Sequence, residues 1–214
     1  MILRNPESIE NKSFQIIDNE IGEHNFSPVE YQVLRRIIHS SADFDFKDNL
    51  VFSNDAVSYA VNSLKKGVPI VCDVKMVYAG INKKLLEKLG CKSYCFVSDD
   101  DVIKEAKKTG LTRSIIAMRK ACSLYPKSIF LIGNAPTALL ELINLINEGK
   151  SSPSLVVGVP VGFVSAPLSK ELLLSQKDIP FIVALGRKGG STIAVSCINA
   201  LLILASSQEN ARKQ

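Results

Sequence analysis

Five short apolar runs, each leading into a helix-forming stretch, constrain this chain more than any other feature. They are VPIVCDV at 68–74, SYCFVS at 93–98, SIFLIG at 128–133, SLVVGVP at 154–160 and PFIVALG at 180–186. Their continuously apolar character, without polar alternation, suits strands covered by helices on both faces. Between and after them lie INKKLLEKLG, DDDVIKEAKKTG, LTRSIIAMRKACSLY, TALLELINLINEGK and SKELLLSQ, all of helical composition. The alternation predicts an α/β fold, a three-layer α/β/α arrangement around a mainly parallel sheet of about five strands.

Helical segments also precede the first run, around ESIENKSFQIIDNEIG, SPVEYQVLRRIIHSSA and NDAVSYAVNSLKKG. Ser27 followed by Glu30 reads as a capping box with Pro28 at the first helical position. Thr137 with Glu141 behind it reads as a second helix start. Repeats, low-complexity segments and long linkers are missing. The expectation is one domain over 1–214, with a helical N-terminal part to about 67 and an α/β part over about 68–206. STIAVSCINALLILAS, at 191–206, is too short and too interrupted by Ser and Asn to span a bilayer, and reads as a buried helix.

Composition narrows the functional classes. Five cysteines leave one unpaired in any disulfide scheme, and several sit in apolar runs as buried thiols do. Cys91 and Cys95 are four apart, yet no second pair completes a zinc set, so no metal site is expected. A reducing, cytoplasmic setting follows. The N-terminus turns polar after three residues and shows no secretory signal, and no membrane association is expected. A net charge of +5 favours an anionic partner, but the basic residues are scattered without interleaved aromatics. Nucleic acid is therefore not the expected ligand.

Histidine is scarce. His24 lies in the polar turn GEHNF and reads as exposed and idle. Arg36, His39 and Asp43 follow at i, i+3 and i+7 and share one side of a helix if it persists that far. An arginine holding an anion beside a histidine is a plausible acid–base pair. A solvated helix face has the same spacing, and spacing leaves both readings open. Two glycine-containing turns, GNAP at 133–136 and GRKGGS at 186–191, end predicted strands where open α/β sheets bind ligands. Glycine admits close backbone approach, free amides at a helix start favour an anion, and Arg187 and Lys188 add charge to the second turn. Neither turn matches a P-loop or a dinucleotide fingerprint. Arg113, in the first turn of a predicted helix, opposes the helix dipole and so invites a ligand role. VVGVPVGFVSAPLSKELL reads as a wall of the cleft.

At these residues the sequence resembles the precorrin-8X methylmutase family. The matching segments are ENKSFQIID, RRIIHSSADF, PIVCDVKMVYAGI, GLTRS, IGNAPTALLEL, VVGVPVGFVSAPLSKE and GRKGGS, in the family's order and over most of the chain. The resemblance implies an isomerase that moves a methyl group from ring carbon 11 to ring carbon 12 of a corrinoid, giving hydrogenobyrinate or cobyrinate. It places the proton donor and acceptor on His39 and substrate contacts on Ser13 and Arg36. Arg113 and Arg187 are inferred beside them as carboxylate anchors. The substrate would be a large, flat corrinoid tetrapyrrole with many carboxylates, its cleft at or near a homodimer interface. No cofactor is expected, because the reaction is an isomerisation, and any cobalt would arrive within the ring. ADFD and DVKMV lean toward the cobalt-handling branch. The competing expectations are a non-catalytic corrinoid carrier, which needs the cleft but not His39, and a nucleotide-binding enzyme using the two glycine turns.

Overall fold

A computed structural model describes residues 4–210. Three helices come first, α1 (Pro6–Ile21), α2 (Pro28–Ser41) and the single turn α3 (Phe46–Asn49), followed by strand β1 (Leu50–Phe52) and α4 (Ala56–Lys65). Then come β2 (Ile70–Cys72), α5 (Lys75–Gly80), α6 (Lys83–Lys88), β3 (Ser93–Tyr94), α7 (Asp100–Thr109) and α8 (Arg113–Leu124). The chain continues with β4 (Ile129–Ile132), α9 (Pro136–Asn147), β5 (Leu155–Gly158), α10 (Ala166–Leu174), β6 (Phe181–Ala184) and α11 (Ser191–Asn210).

The strands form one sheet in the order β1-β6-β5-β4-β2-β3. All neighbours are parallel except β1, which runs antiparallel to β6 with Leu50 opposite Ala184 and Phe52 opposite Ile182. The five expected strands are present, but shorter than their apolar runs. The sixth, β1, corrects the reading of residues 1–67 as helical. Three residues between helices are too few to show a period of two, and only pairing with β6 makes them a strand.

Why the runs lack alternation is visible in the packing. β4, β5 and β6 are buried along their whole length. Ile129, Leu131, Leu155, Val157, Ile182 and Ala184 pack into the layer of α2, α4 and α11. Phe130, Ile132, Val156, Phe181 and Val183 pack into the layer of α8, α9 and α10. Successive side chains thus enter two different cores, and both must be apolar. Strand α/β connections of this kind leave every parallel C-terminus at one edge, with the loops into α5, α9, α10 and α11 gathered there.

Local signals set the helix ends. At α2 the capping box is complete, with the Ser27 amide donating to Glu30 Oε2 at 2.9 Å and the Glu30 amide donating to Ser27 Oγ at 3.4 Å. At α9 the cap position is Ala135, with Pro136 opening the helix, so Thr137 is not the start residue. α11 begins at Ser191 as its sequence suggests, and packs on α2 and α4 with Ile193, Ala194, Cys197, Ile198, Leu201 and Leu202 buried. All five cysteines are free thiols, four of them buried. Among the described residues no helix is long and apolar enough to cross a membrane.

Candidate active site

The centre of the C-terminal edge, where strand order reverses between β2 and β4, is filled by a side chain of the protein itself. Asp73 follows β2 and is 3% exposed. Its carboxylate accepts from the amides of Gly133 (3.2 Å), Asn134 (2.7 Å) and Ala135 (2.8 Å). Burial pushes its pKa up, and these amides pull it back by stabilising the ionised form. The turn at 133–136 was expected to offer amides to an anion. It already holds one, and this corrects that reading. Gly133 serves packing: a Cβ there would stand 3.0 Å from Ser191 Cα and from the side chains of Ala194 and Val77.

To one side of this centre lies the end of α2. His39 sits in its last turn, exposed, and its ring centroid is 5.3 Å from that of Phe14 on α1. The same phenyl ring carries the Arg35 guanidinium at 4.4 Å and that of Arg36 at 5.3 Å. Arg36 also pairs with Glu10 at 3.0 Å. Both partners are partly open to water, so the pair contributes about 0–1 kcal/mol and gives way cheaply to another carboxylate. Ser13, next to Phe14, donates its hydroxyl to Ile9 O at 3.0 Å, which leaves its oxygen lone pairs available. Behind them, Arg35 is tied to Asp18 at 3.1 Å, and Tyr31 donates to the same carboxylate. Neither ring nitrogen of His39 has a protein partner among the described residues.

α2 stops at Ser41 because Ala42 turns left-handed at φ 53°, its amide donating back to Ile38 O. Asp43 therefore leaves the face shared by Arg36 and His39, correcting the expected three-residue row. It pairs instead with Lys188 at 2.7 Å, and Asp45 joins the same ammonium. Lys188 holds the Asp43 carboxyl below its usual range. The neighbouring Ser40 Oγ accepts from Ser196 Oγ on α11 at 2.6 Å. The end of α2 is thus joined both to the loop after β6 and to the helix that follows it.

That loop, residues 186–190, carries Arg187 over the Phe163 ring at 5.4 Å. Its backbone is pinned at several points. Gly162 donates to Arg187 O at 3.2 Å, Gly190 donates to Val159 O at 2.8 Å, and Lys170 Nζ reaches Gly186 O and Lys188 O. Gly189, at φ 151°, is obligatory: a Cβ would lie 2.2 Å from Val159 O. Beside Arg187, Phe163 is 78% and Val164 95% exposed, so the loop borders an open apolar surface.

The structure therefore brings Ser13, Arg36 and His39 to one corner and places Arg187 on the adjoining loop. Arg113 opens α8 across the sheet, where Thr112 contacts Thr137 at 3.4 Å, and it touches none of the other four. His24 is not idle: it stacks on Tyr31 with centroids 4.2 Å apart. Sequence reasoning missed Phe14, Asp73, Lys170 and Ser196, which lie inside noticed segments or in α11 but announce no chemistry of their own. A groove of about 740 Å³ between Ser53, Tyr59, Pro153, Gln176 and Pro180 opens at the opposite edge of the sheet and touches none of these residues. Among the described residues no cluster of His, Cys, Asp and Glu is arranged for a metal.

The family model for precorrin-8X methylmutase matches residues 8–204. A cobalt-precorrin-8 methylmutase of Leptospira interrogans is 52% identical, the match covering 93% of this chain and 94% of that protein. One from Priestia megaterium is 49% identical over 94% of this chain and 89% of that protein. The crystal structure of a precorrin-8X methyl mutase from Thermus thermophilus superposes with a TM-score of 0.87 at 37% identity, covering 94% of this chain and 98% of that one.

Proposed function

The chain belongs to the precorrin-8X methylmutase family, and from that premise we propose that it isomerises cobalt-precorrin-8 in corrin biosynthesis by moving a methyl group from ring carbon 11 to ring carbon 12. The cobalt-containing substrate is favoured because the two relatives described above are both cobalt-precorrin-8 methylmutases. One observation carries the site: His39 stands exposed beside Phe14 and Arg36, with both ring nitrogens unpartnered among the described residues.

His39 acts as a general acid and base. Giving a proton to the macrocycle makes it electron-poor at the carbon that receives the methyl group, and taking the proton back restores the neutral ring. Atoms and electrons balance within the substrate, so the step requires no electron acceptor. Phe14 gives the imidazole an apolar neighbour, Arg36 exchanges Glu10 for a substrate carboxylate, and the Ser13 oxygen contacts the substrate rim. Arg187 and Arg113 anchor further carboxylates, with Arg113 reached only by a ligand that spans the sheet edge. A macrocycle ringed by carboxylates has that reach. The exposed apolar surface at Phe163 and Val164 supports a homodimer, since monomers seldom leave such patches uncovered.

The test is absorption spectroscopy of purified protein mixed with precorrin-8X or cobalt-precorrin-8, with His39→Ala alongside. Conversion by wild type and not by the variant is the expected result. Binding without conversion in both would make the protein a carrier, and no spectral change would refute the activity.

A further inference from the structure

Lys170, on α10, is 0% exposed, and among the described residues it forms no ion pair with a carboxylate. A buried ammonium without a counter-ion is costly, and an apolar side chain of the same length would fill the space without that cost. Its nitrogen nevertheless has two definite partners, Gly186 O at 3.0 Å and Lys188 O at 2.6 Å. These carbonyls flank Arg187, whose own carbonyl accepts from Gly162. Three successive carbonyls are thus engaged. In a trans peptide each N–H lies opposite its carbonyl, so the amides of Arg187, Lys188 and Gly189 are turned the other way. None of the three has an acceptor among the described residues.

We propose that Lys170 is a positioning residue: from inside the protein it holds residues 186–188 in the one curvature that presents Arg187 to a substrate carboxylate. The proposal rests on the corrinoid reading above only for the identity of that carboxylate. Lys170 touches no substrate. It acts through two backbone carbonyls, alongside the Lys188 bridge to Asp43, the Gly162 bond and the Gly190 bond to Val159 O as further restraints on the same loop.

The experiment compares wild type with Lys170→Met and with Arg187→Ala, singly and together, in steady-state turnover of cobalt-precorrin-8. Hydrogen exchange at the Gly162 and Gly190 amides is followed in the same proteins without ligand. Lys170→Met is expected to raise KM at least tenfold with kcat within threefold, and to speed exchange at both amides at least tenfold. In the double variant KM rises no further than with Arg187→Ala alone, because both changes remove one interaction. Unchanged exchange, or KM effects that multiply in the double variant, would overturn the proposal. If Lys170→Met does not fold, Lys170→Gln, one bond too short to reach both carbonyls, is read by the same criteria. If wild type turns over no corrinoid while exchange still accelerates, the functional reading fails and the role of Lys170 in holding the loop stands.

Discussion

Replacing Asp73 with alanine tests whether a carboxylate holds the centre of the sheet edge together. Three amides lose their acceptor at once. Asn134 is exposed, so water replaces its bond, whereas Gly133 and Ala135 are buried away from bulk solvent. Each orphaned buried donor costs about 1–3 kcal/mol, which gives about 2–6 kcal/mol for the pair. Relief from burying the carboxylate, the effect that pushes its pKa up, returns part of this. The expected loss is about 2–4 kcal/mol, or about 5–15 °C in Tm for a chain of this length. Urea unfolding followed by far-UV circular dichroism at neutral pH measures it. Asp73→Asn keeps the volume and one acceptor oxygen but turns an NH2 group toward the amides, and falls between wild type and alanine. A loss below about 1 kcal/mol in Asp73→Ala would refute the reasoning, since it would mean the turn finds other partners without strain.

Three further perturbations follow from the same packing. Ser27→Ala removes the hydroxyl half of the α2 capping box and should cost about 1 kcal/mol in the same unfolding assay. Gly189→Ala should cost about 2–4 kcal/mol, because its Cβ meets the Val159 carbonyl, while Gly186→Ala, left-handed at φ 71° but facing open space, should cost about 1 kcal/mol. Burial lowers the pKa of Lys170 from 10.5 to about 8. Between those values the unfolded chain binds the additional proton, so stability relative to Lys170→Met rises with pH, by about 3 kcal/mol across the window, and is flat below it. The neutral amine keeps two N–H donors for its two carbonyls, so the loop holds throughout. Paired denaturation curves on either side of the window check this, and a constant difference would contradict it.

The layers were legible in the sequence because burial on both faces leaves short apolar runs rich in β-branched residues, shorter than the apolar helix at 191–206. The α2 start was legible because a capping box is local, complete within Ser27–Glu30. β1 was not, since its only reason to be a strand is β6. Of the candidate site, the helical spacing of Arg36 and His39 placed them together, and the left-handed Ala42 that removes Asp43 from their face could not be read from an alanine. Asp73 and Lys170 stayed hidden for a common reason. Each looks like an ordinary surface charge in the sequence, and only backbone from 60 and 16 residues away gives it a task.

The pairing of β1 with β6 also has a temporal side. Ser53 at the end of β1 accepts from the amide of Phe181, 128 residues further along, and Ser40 waits for Ser196, 156 residues away. During synthesis the N-terminal helices therefore emerge long before the strand and helix that seat them. Closing such loops is slow, and the apolar face of α2 stays uncovered meanwhile. A chain halted before α11 would carry His39 on a helix stripped of its main packing partner, so partial products should be inert and prone to association rather than weakly active.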